Sequence, residues 1–302
     1  MNRPRAGLLS TVEGRSSAAF TRTDWGLLLG VTLTWGASFL FMSIGLDAFA
    51  PGVVTLGRVA FGALTLALLP GGRTPIDRED MPRIVLLATS WIAVPLTLFP
   101  IAQQWIDSSV AGMLNASMPA LTALLASVLL HRLPGTLQRV GITIGFLGVA
   151  CISAPTIGGA DAAWLGVVLV ILATAGYAIA ANVVTPLQHK YGSLPVLAQV
   201  QAVAAMMVVP YGLYGLPDST FEWPSFLAVA TLGIAGTGLA YSAFGSLIGN
   251  VGATRASIVT YLIPAVAIVL GVAVRGESVA ALALLGCALV LVGAWLSSRQ
   301  GR

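Results

Sequence analysis

Apolar residues run along this chain in long blocks, separated by short stretches that hold charge, proline or glycine. Ten blocks stand out, near residues 25–46, 52–69, 83–104, 108–130, 136–154, 163–186, 194–215, 224–248, 254–274 and 278–297. Each is close to the roughly 20 apolar residues a helix needs to cross a bilayer. Solid runs of this kind exclude the alternating strands of an outer-membrane barrel. The pattern predicts an all-α membrane protein with ten transmembrane helices. Residues 1–24 carry Arg3, Arg5, Arg15 and Arg22 without an apolar core, so they read as a basic cytoplasmic tail rather than a cleavable signal.

Composition sharpens this picture. Of 302 residues, 57% are hydrophobic and 9% charged, where a soluble domain carries about 25% charged residues. Lipid is therefore the main solvent. A net charge of +4 spread so thinly makes no basic surface for nucleic acid. It marks orientation instead. Of the fifteen Lys and Arg, all but Arg58 and Arg275 fall on one side of the ten spans, which puts both termini in the cytoplasm.

The absences bear on chemistry. Cys151 and Cys287 lie inside apolar runs and offer neither a disulfide framework nor a zinc cluster. Every Asp and Glu falls in a tail, a loop or a helix edge, and His131 and His189 sit at helix ends. Enzymatic chemistry or proton loading at depth needs such groups within the spans. The sequence thus predicts no enzyme, no metal, no cofactor and no strict proton coupling. Gly233-x-x-Gly236-x-Gly238 has the wrong order for a dinucleotide fingerprint and sits in an apolar run, so it reads as helix packing.

The chain also repeats itself. A shift of 145 residues brings Phe99 onto Phe244, Ala111 onto Ala256, Pro119-Ala120 onto Pro264-Ala265, Gly141 onto Gly286 and Gly148 onto Gly293. Nearer the N-terminus the register drifts, and Trp35 meets Tyr177. Copies at 25–154 and 163–297 would each hold five helices. An odd number inverts the second copy, the architecture associated with alternating access around a midplane site. Because one chain supplies both halves, a monomer suffices.

Candidate site residues follow from depth. Arg58 is the one ionisable side chain well inside a span, about 10 Å past Pro51 at 1.5 Å per residue. It either attracts a substrate anion or snorkels toward Asp47 or Asp107. Pro119 and Pro264 are expected mid-span as paired hinges that free the carbonyls of Asn115 and Thr260. Trp35 and Tyr177 lie away from the interfacial belts, and Tyr241, Asn182, Gln199 and Gln201 are weaker candidates of the same kind. Trp25, Trp164, Trp223 and Trp295 read as interfacial anchors, and Gly141, Gly145 and Gly148 as a packing surface.

Taken in order, Trp35-Gly36-Ala37-Ser38-Phe39, Arg58, the two prolines, the paired glycines and Gly276-Glu277 resemble the EamA-type transporters of the drug/metabolite transporter superfamily. Within it the chain is most similar to the YddG-type bacterial exporters. The resemblance implies an inner-membrane exporter of aromatic and other amino acids and related metabolites. It also implies a basket of helices around a central cavity lined by Trp35, Ser38, Tyr177 and Tyr241. Arg58 would receive the carboxylate, and the carbonyls of Asn115 and Thr260 the ammonium. A passive pore for small solutes is the alternative. Two departures stand out: His131-Arg132 occupies the place of Gly276-Glu277 in the first half, a peripheral difference, and Tyr177 stands where a second Trp is common.

Overall fold

The computed structural model describes residues 21–129, 134–157, 162–251, 256 and 258–297. Most of the expected basic tail, His131-Arg132 and the C-terminal arginines lie outside these residues. Within them the chain is helical, with no strand. Among the described residues nine helices are long and apolar enough to cross a membrane: α1 (Arg22–Leu46), α2 (Pro51–Leu68), α3 (Arg78–Ala102), α4 (Ser108–Leu125), α5 (Thr136–Ile157), α6 (Ala163–Val183), α7 (Ser193–Tyr214), α8 (Trp223–Ile248) and α9 (Ile258–Arg275). The last, α10 (Ala281–Ser297), is apolar but only 17 residues long, or about 25 Å. The chain leaves α9 through a left-handed residue, Gly276, at φ +66°.

Large apolar side chains cover the outside. Leu33, Leu64, Leu147, Leu172, Met206, Val269 and Leu285 are all exposed. In water such a surface would be an aggregation liability, whereas facing lipid it needs no further cover. The four tryptophans expected as anchors are exposed as well.

Two buried cores lie inside. One joins α1, α4, α6, α9 and α10 through residues such as Val31, Leu114, Val170, Ile263 and Val290. The other joins α2, α3, α6 and α7 through Val59, Leu87, Ile92, Val183 and Val200. Trp35 and Tyr177 pack against both, at the seam.

Helix pairing follows small residues. The most extensive contacts are α5 with α10 and α2 with α7. At the first of these, a Cβ placed on Gly148 would lie 2.6 Å from the Gly286 carbonyl oxygen, and one on Gly293 would lie 2.6 Å from that of Gly141. No side chain fits there, so both helices approach backbone to backbone.

Two features break helical regularity. A π-helical stretch occupies Ala88–Ala93 in α3, and another of the same length Ile234–Leu239 in α8. The wider turn re-aims side chains and frees carbonyls, which is why such stretches recur at functional sites. The second feature concerns the prolines. Pro264 lies inside continuous α9. By contrast, α4 stops at Asn115 and restarts at Met118, so Pro119 opens the first turn of a new segment. There Ala116 and Ser117 donate their N–H groups to Met113 and Leu114 in tight turns. The two prolines are therefore not equivalent bends: a proline in a first turn sacrifices no hydrogen bond.

Candidate functional site

Arg58 is buried, with 6% of its surface exposed. An arginine at this depth costs on the order of 3 kcal/mol on insertion scales, so its surroundings carry weight. Its Nε donates to Thr237 Oγ1 at 3.1 Å, and Thr237 donates onward to the Leu232 carbonyl at 3.2 Å. That second bond spans five residues, as the π turn of α8 allows. Among the described residues no carboxylate pairs with Arg58. Asp47, one partner foreseen for snorkelling, is held by Arg275 through two bonds of 2.8 Å.

Two tyrosines stand near this cation. Tyr177 and Tyr241 are close enough to act on it electrostatically. Tyr241 meets Trp35 and Trp91 edge to face, with centroids 5.4 and 5.5 Å apart. Tyr177 lies 5.9 Å from Phe99, which meets Phe39. The Trp35 indole N–H donates to the Gly236 carbonyl at 3.0 Å, within the π stretch of α8. Trp35 thus offers its ring rather than its N–H. Trp91 and Thr237 have no sequence signal of their own and Gly236 only that of helix packing; each matters through a π turn that hydropathy does not register.

Arg58, Trp35, Tyr177 and Tyr241 are brought together. Ser38 is buried and turns its hydroxyl to the Thr34 carbonyl, beside Gly236. Asn115 belongs to the break in α4, where its side-chain Oδ1 is buried without a donor among the described residues. Thr260 is half-buried in α9, one turn before Pro264. Of the weaker candidates, Gln201 donates to the Val59 carbonyl at 3.1 Å and Asn182 to Ala178 at 2.8 Å. An apolar cleft of about 50 Å³ lies elsewhere, between Ser117, Leu121, Gly145, Phe146 and Ile171, and has no charged lining.

The two ends of the bundle are tied by polar groups. At one end α9 finishes in an αL turn, with the Gly276 N–H donating to the Val272 carbonyl and the Glu277 N–H to that of Gly271, both 3.2 Å. This swings Glu277 onto the start of α4. Its carboxylate accepts the Ser108 N–H at 2.9 Å, the Ser108 hydroxyl at 2.6 Å and the Ser109 N–H at 2.9 Å. A negative group at a helix N-terminus is favourably placed. Burial alone would raise the Glu277 pKa, but these hydrogen bonds outweigh it and hold the group below its ordinary value. Gly276-Glu277 therefore clamps α9 to α4, whereas its counterpart His131-Arg132 lies outside the described residues. Asp107, next to it, is pushed up by burial and by the charge of Glu277.

At the other end Lys190 bonds Asp77 and Asp80 at 2.9 and 2.8 Å, and the Tyr191 hydroxyl donates within the same group. Asp24, in the first turn of α1, is buried; it caps the helix with Thr21 and accepts from Asn250 at 2.8 Å.

The EamA-like transporter family matches residues 25–154 and again 164–299. The chain belongs to this family. It is a multi-pass membrane transporter, and the family and its relatives point away from an enzyme. A probable terminal-alkyne amino-acid exporter of Streptantibioticus cattleyicolor is 27% identical, over 93% of this chain and 94% of that protein. The uncharacterized inner membrane transporter YedA of Escherichia coli K12 is 28% identical over 89% and 90%. A probable amino-acid metabolite efflux pump of Salmonella typhimurium is 21% identical over 92% and 95%. One solved crystal structure shares the fold, with a TM-score of 0.62 at 18% identity over 92% of this chain and 96% of that one.

Proposed function

We propose that this transporter exports amino acids, aromatic ones among them, and related small metabolites across the bacterial inner membrane by alternating access. Ten helices form two inverted five-helix repeats, residues 25–154 and 163–297, around a central cavity, with both termini cytoplasmic and a monomer sufficient. The repeat reading is supported by contacts that exchange under the 145-residue shift: Gly148 to Gly286 becomes Gly293 to Gly141. The π stretches of α3 and α8 also begin at nearly that spacing, at Ala88 and Ile234.

One observation carries the functional reading. Arg58 is a buried cation with no counter-charge among the described residues, near Tyr177 and Tyr241. A substrate carboxylate supplies the missing charge. Trp35, Ser38, Tyr177 and Tyr241 line the site, Asn115 and Thr260 offer acceptors, and Pro119 and Pro264 mark where α4 and α9 bend. Two of the relatives carry amino-acid export in their names, which agrees with this choice.

The test is counterflow in proteoliposomes against a panel of amino acids, with and without a pH gradient. Saturable exchange that needs no pH gradient is expected. Flux that does not saturate would favour a passive pore, and accumulation driven by pH alone would overturn the absence of proton coupling.

A further inference from the structure

The polar groups around Arg58 are unbalanced, and the imbalance selects a ligand. Its Nε is used by Thr237. Its two terminal NH₂ groups make no hydrogen bond among the described residues, yet they are not among the buried polar atoms sealed off without a partner. They therefore border accessible space. The nearby acceptors are already engaged: the Gly236 carbonyl by Trp35, Thr237 Oγ1 by Arg58, and the Val59 carbonyl by Gln201. Asn115 Oδ1 is an acceptor without a donor, but it is sealed, and α4 is not among the helices that pack extensively on α2. The Tyr177 hydroxyl remains, and the Tyr241 hydroxyl, whose oxygen faces the Trp91 N–H, keeps its proton to give; a phenol donates to a carboxylate as readily as it accepts. Donors are in surplus and no anionic group is at hand among the described residues, so the site has a charged reader for a carboxylate, while an ammonium would find at most the neutral carbonyl of Thr260.

We infer that the recognised ligands are small aromatic monocarboxylates, and that an amino group on the ligand is dispensable. This rests on the reading of Arg58 as the substrate's counter-charge and narrows it. A free ammonium beside an uncompensated guanidinium is a like-charge neighbour in a low dielectric, which works against binding. Removing it should leave affinity equal or better, while removing the carboxylate should strand the cation. The rings of Trp35, Trp91, Tyr177 and Tyr241 supply the apolar wall for the rest of the molecule. Thr237 acts as a positioning residue, because its hydroxyl fixes the Nε side of the guanidinium and turns the two NH₂ groups the other way.

The experiment is isothermal titration calorimetry on the purified full chain in detergent, with three probes of one skeleton: L-phenylalanine, 3-phenylpropionate and phenethylamine. The expected order is 3-phenylpropionate equal to or tighter than L-phenylalanine, with phenethylamine weaker by about tenfold or more, the effect of one lost charge-assisted pair. Arg58→Gln should erase the difference between the carboxylates and the amine. Thr237→Val should weaken both carboxylates by a smaller factor and leave the amine unchanged. The wild-type order alone decides the matter if Arg58→Gln does not fold. Binding of L-phenylalanine without 3-phenylpropionate would overturn this inference and leave amino-acid export standing. Binding of none of the three would overturn both.

Discussion

At one end of the bundle Glu277 takes three hydrogen bonds from the start of α4, two of them from backbone N–H groups, and Arg275 grips Asp47 with both arms of its guanidinium. At the other end Lys190 pairs directly with Asp77 and Asp80 at the surface, with its side chain 52% and that of Asp77 65% exposed. Both sets of bonds join the first half of the chain to the second. They differ in what must move to break them. A helix start cannot leave its cap without leaving two N–H groups unpaired, whereas a lysine on a flexible stem lets go at little cost. Further ties reinforce the Glu277 end, where Ser219 accepts from Ala50, Thr220 donates to Ala48, and Ser225 donates to Ile44. A carrier that alternates must open its ends in turn. The Lys190 end should open first and more often.

The largest effect is expected at Glu277. Glu277→Ala removes the cap and strands the Ser108 and Ser109 amides, a loss of about 2–3 kcal/mol. Glu277→Gln, which still offers one acceptor, should lose about half as much. Thermal unfolding of purified protein measures both. If Glu277→Ala is no worse than Lys190→Met, the two ends are equally fastened and the comparison collapses.

Acid should separate the ends next. Glu277 has a folded pKa below its ordinary 4.5, so its contribution is complete above that value and fades as pH falls through the folded pKa. Asp107 has the opposite sign. Its folded pKa lies above the ordinary 3.8, so proton uptake there stabilises the fold as pH falls. Asp77 is held low by hydrogen bonds from Lys190 and Tyr191, and its contribution fades only below about 3.8. Stability measured from pH 6 downward should therefore fall more steeply in Asp107→Asn and less steeply in Glu277→Gln. Identical acid profiles for the two variants would contradict this assignment.

The Arg275–Asp47 pair comes third. It is bidentate but partly exposed, with side chains 31% and 45% accessible. Arg275→Ala should cost about 0.5–1 kcal/mol, and Asp47→Asn about the same. The double variant should lose little more than either single one, as expected when both act through one pair. Additive losses would mean that each residue works separately.

How much of this was legible beforehand depends on the range of the interaction. Apolar runs report burial in lipid, so the blocks at 52–69 and 136–154 correspond to α2 and α5 within a few residues. The outlier charge, Arg58, was legible for the same reason, since nothing local explains it. Its partner was not. Thr237 lies 179 residues away, and its reach depends on a π turn that leaves hydropathy unchanged. Pro119 misled because proline reads the same in a helix interior and in a first turn. Only the backbone shows that α4 has already stopped at Asn115. The clamp made by Glu277 was not legible because a loop glutamate has no period to betray it, and its role appears only when Gly276 turns it onto a helix 169 residues earlier in sequence.

The smallest effect on stability, and the sharpest test of the comparison, is expected at Lys190. Exposed ion pairs weaken as salt shortens the Debye length from about 10 Å at 0.1 M to about 3 Å at 1 M. Bonds from backbone amides to a half-buried carboxylate are screened far less. Hydrogen exchange reads local opening directly. Raising salt should therefore speed exchange in the segments 71–80 and 185–194 while leaving 107–110 and 275–280 unchanged. In Lys190→Met the first pair of segments should already exchange fast at low salt and respond no further. The unfolding temperature should barely move, because the lysine holds an end shut without supporting a core. Equal acceleration at both ends of the wild type would show that the Glu277 clamp is as open to water as the lysine, and the order of opening argued from it would fail.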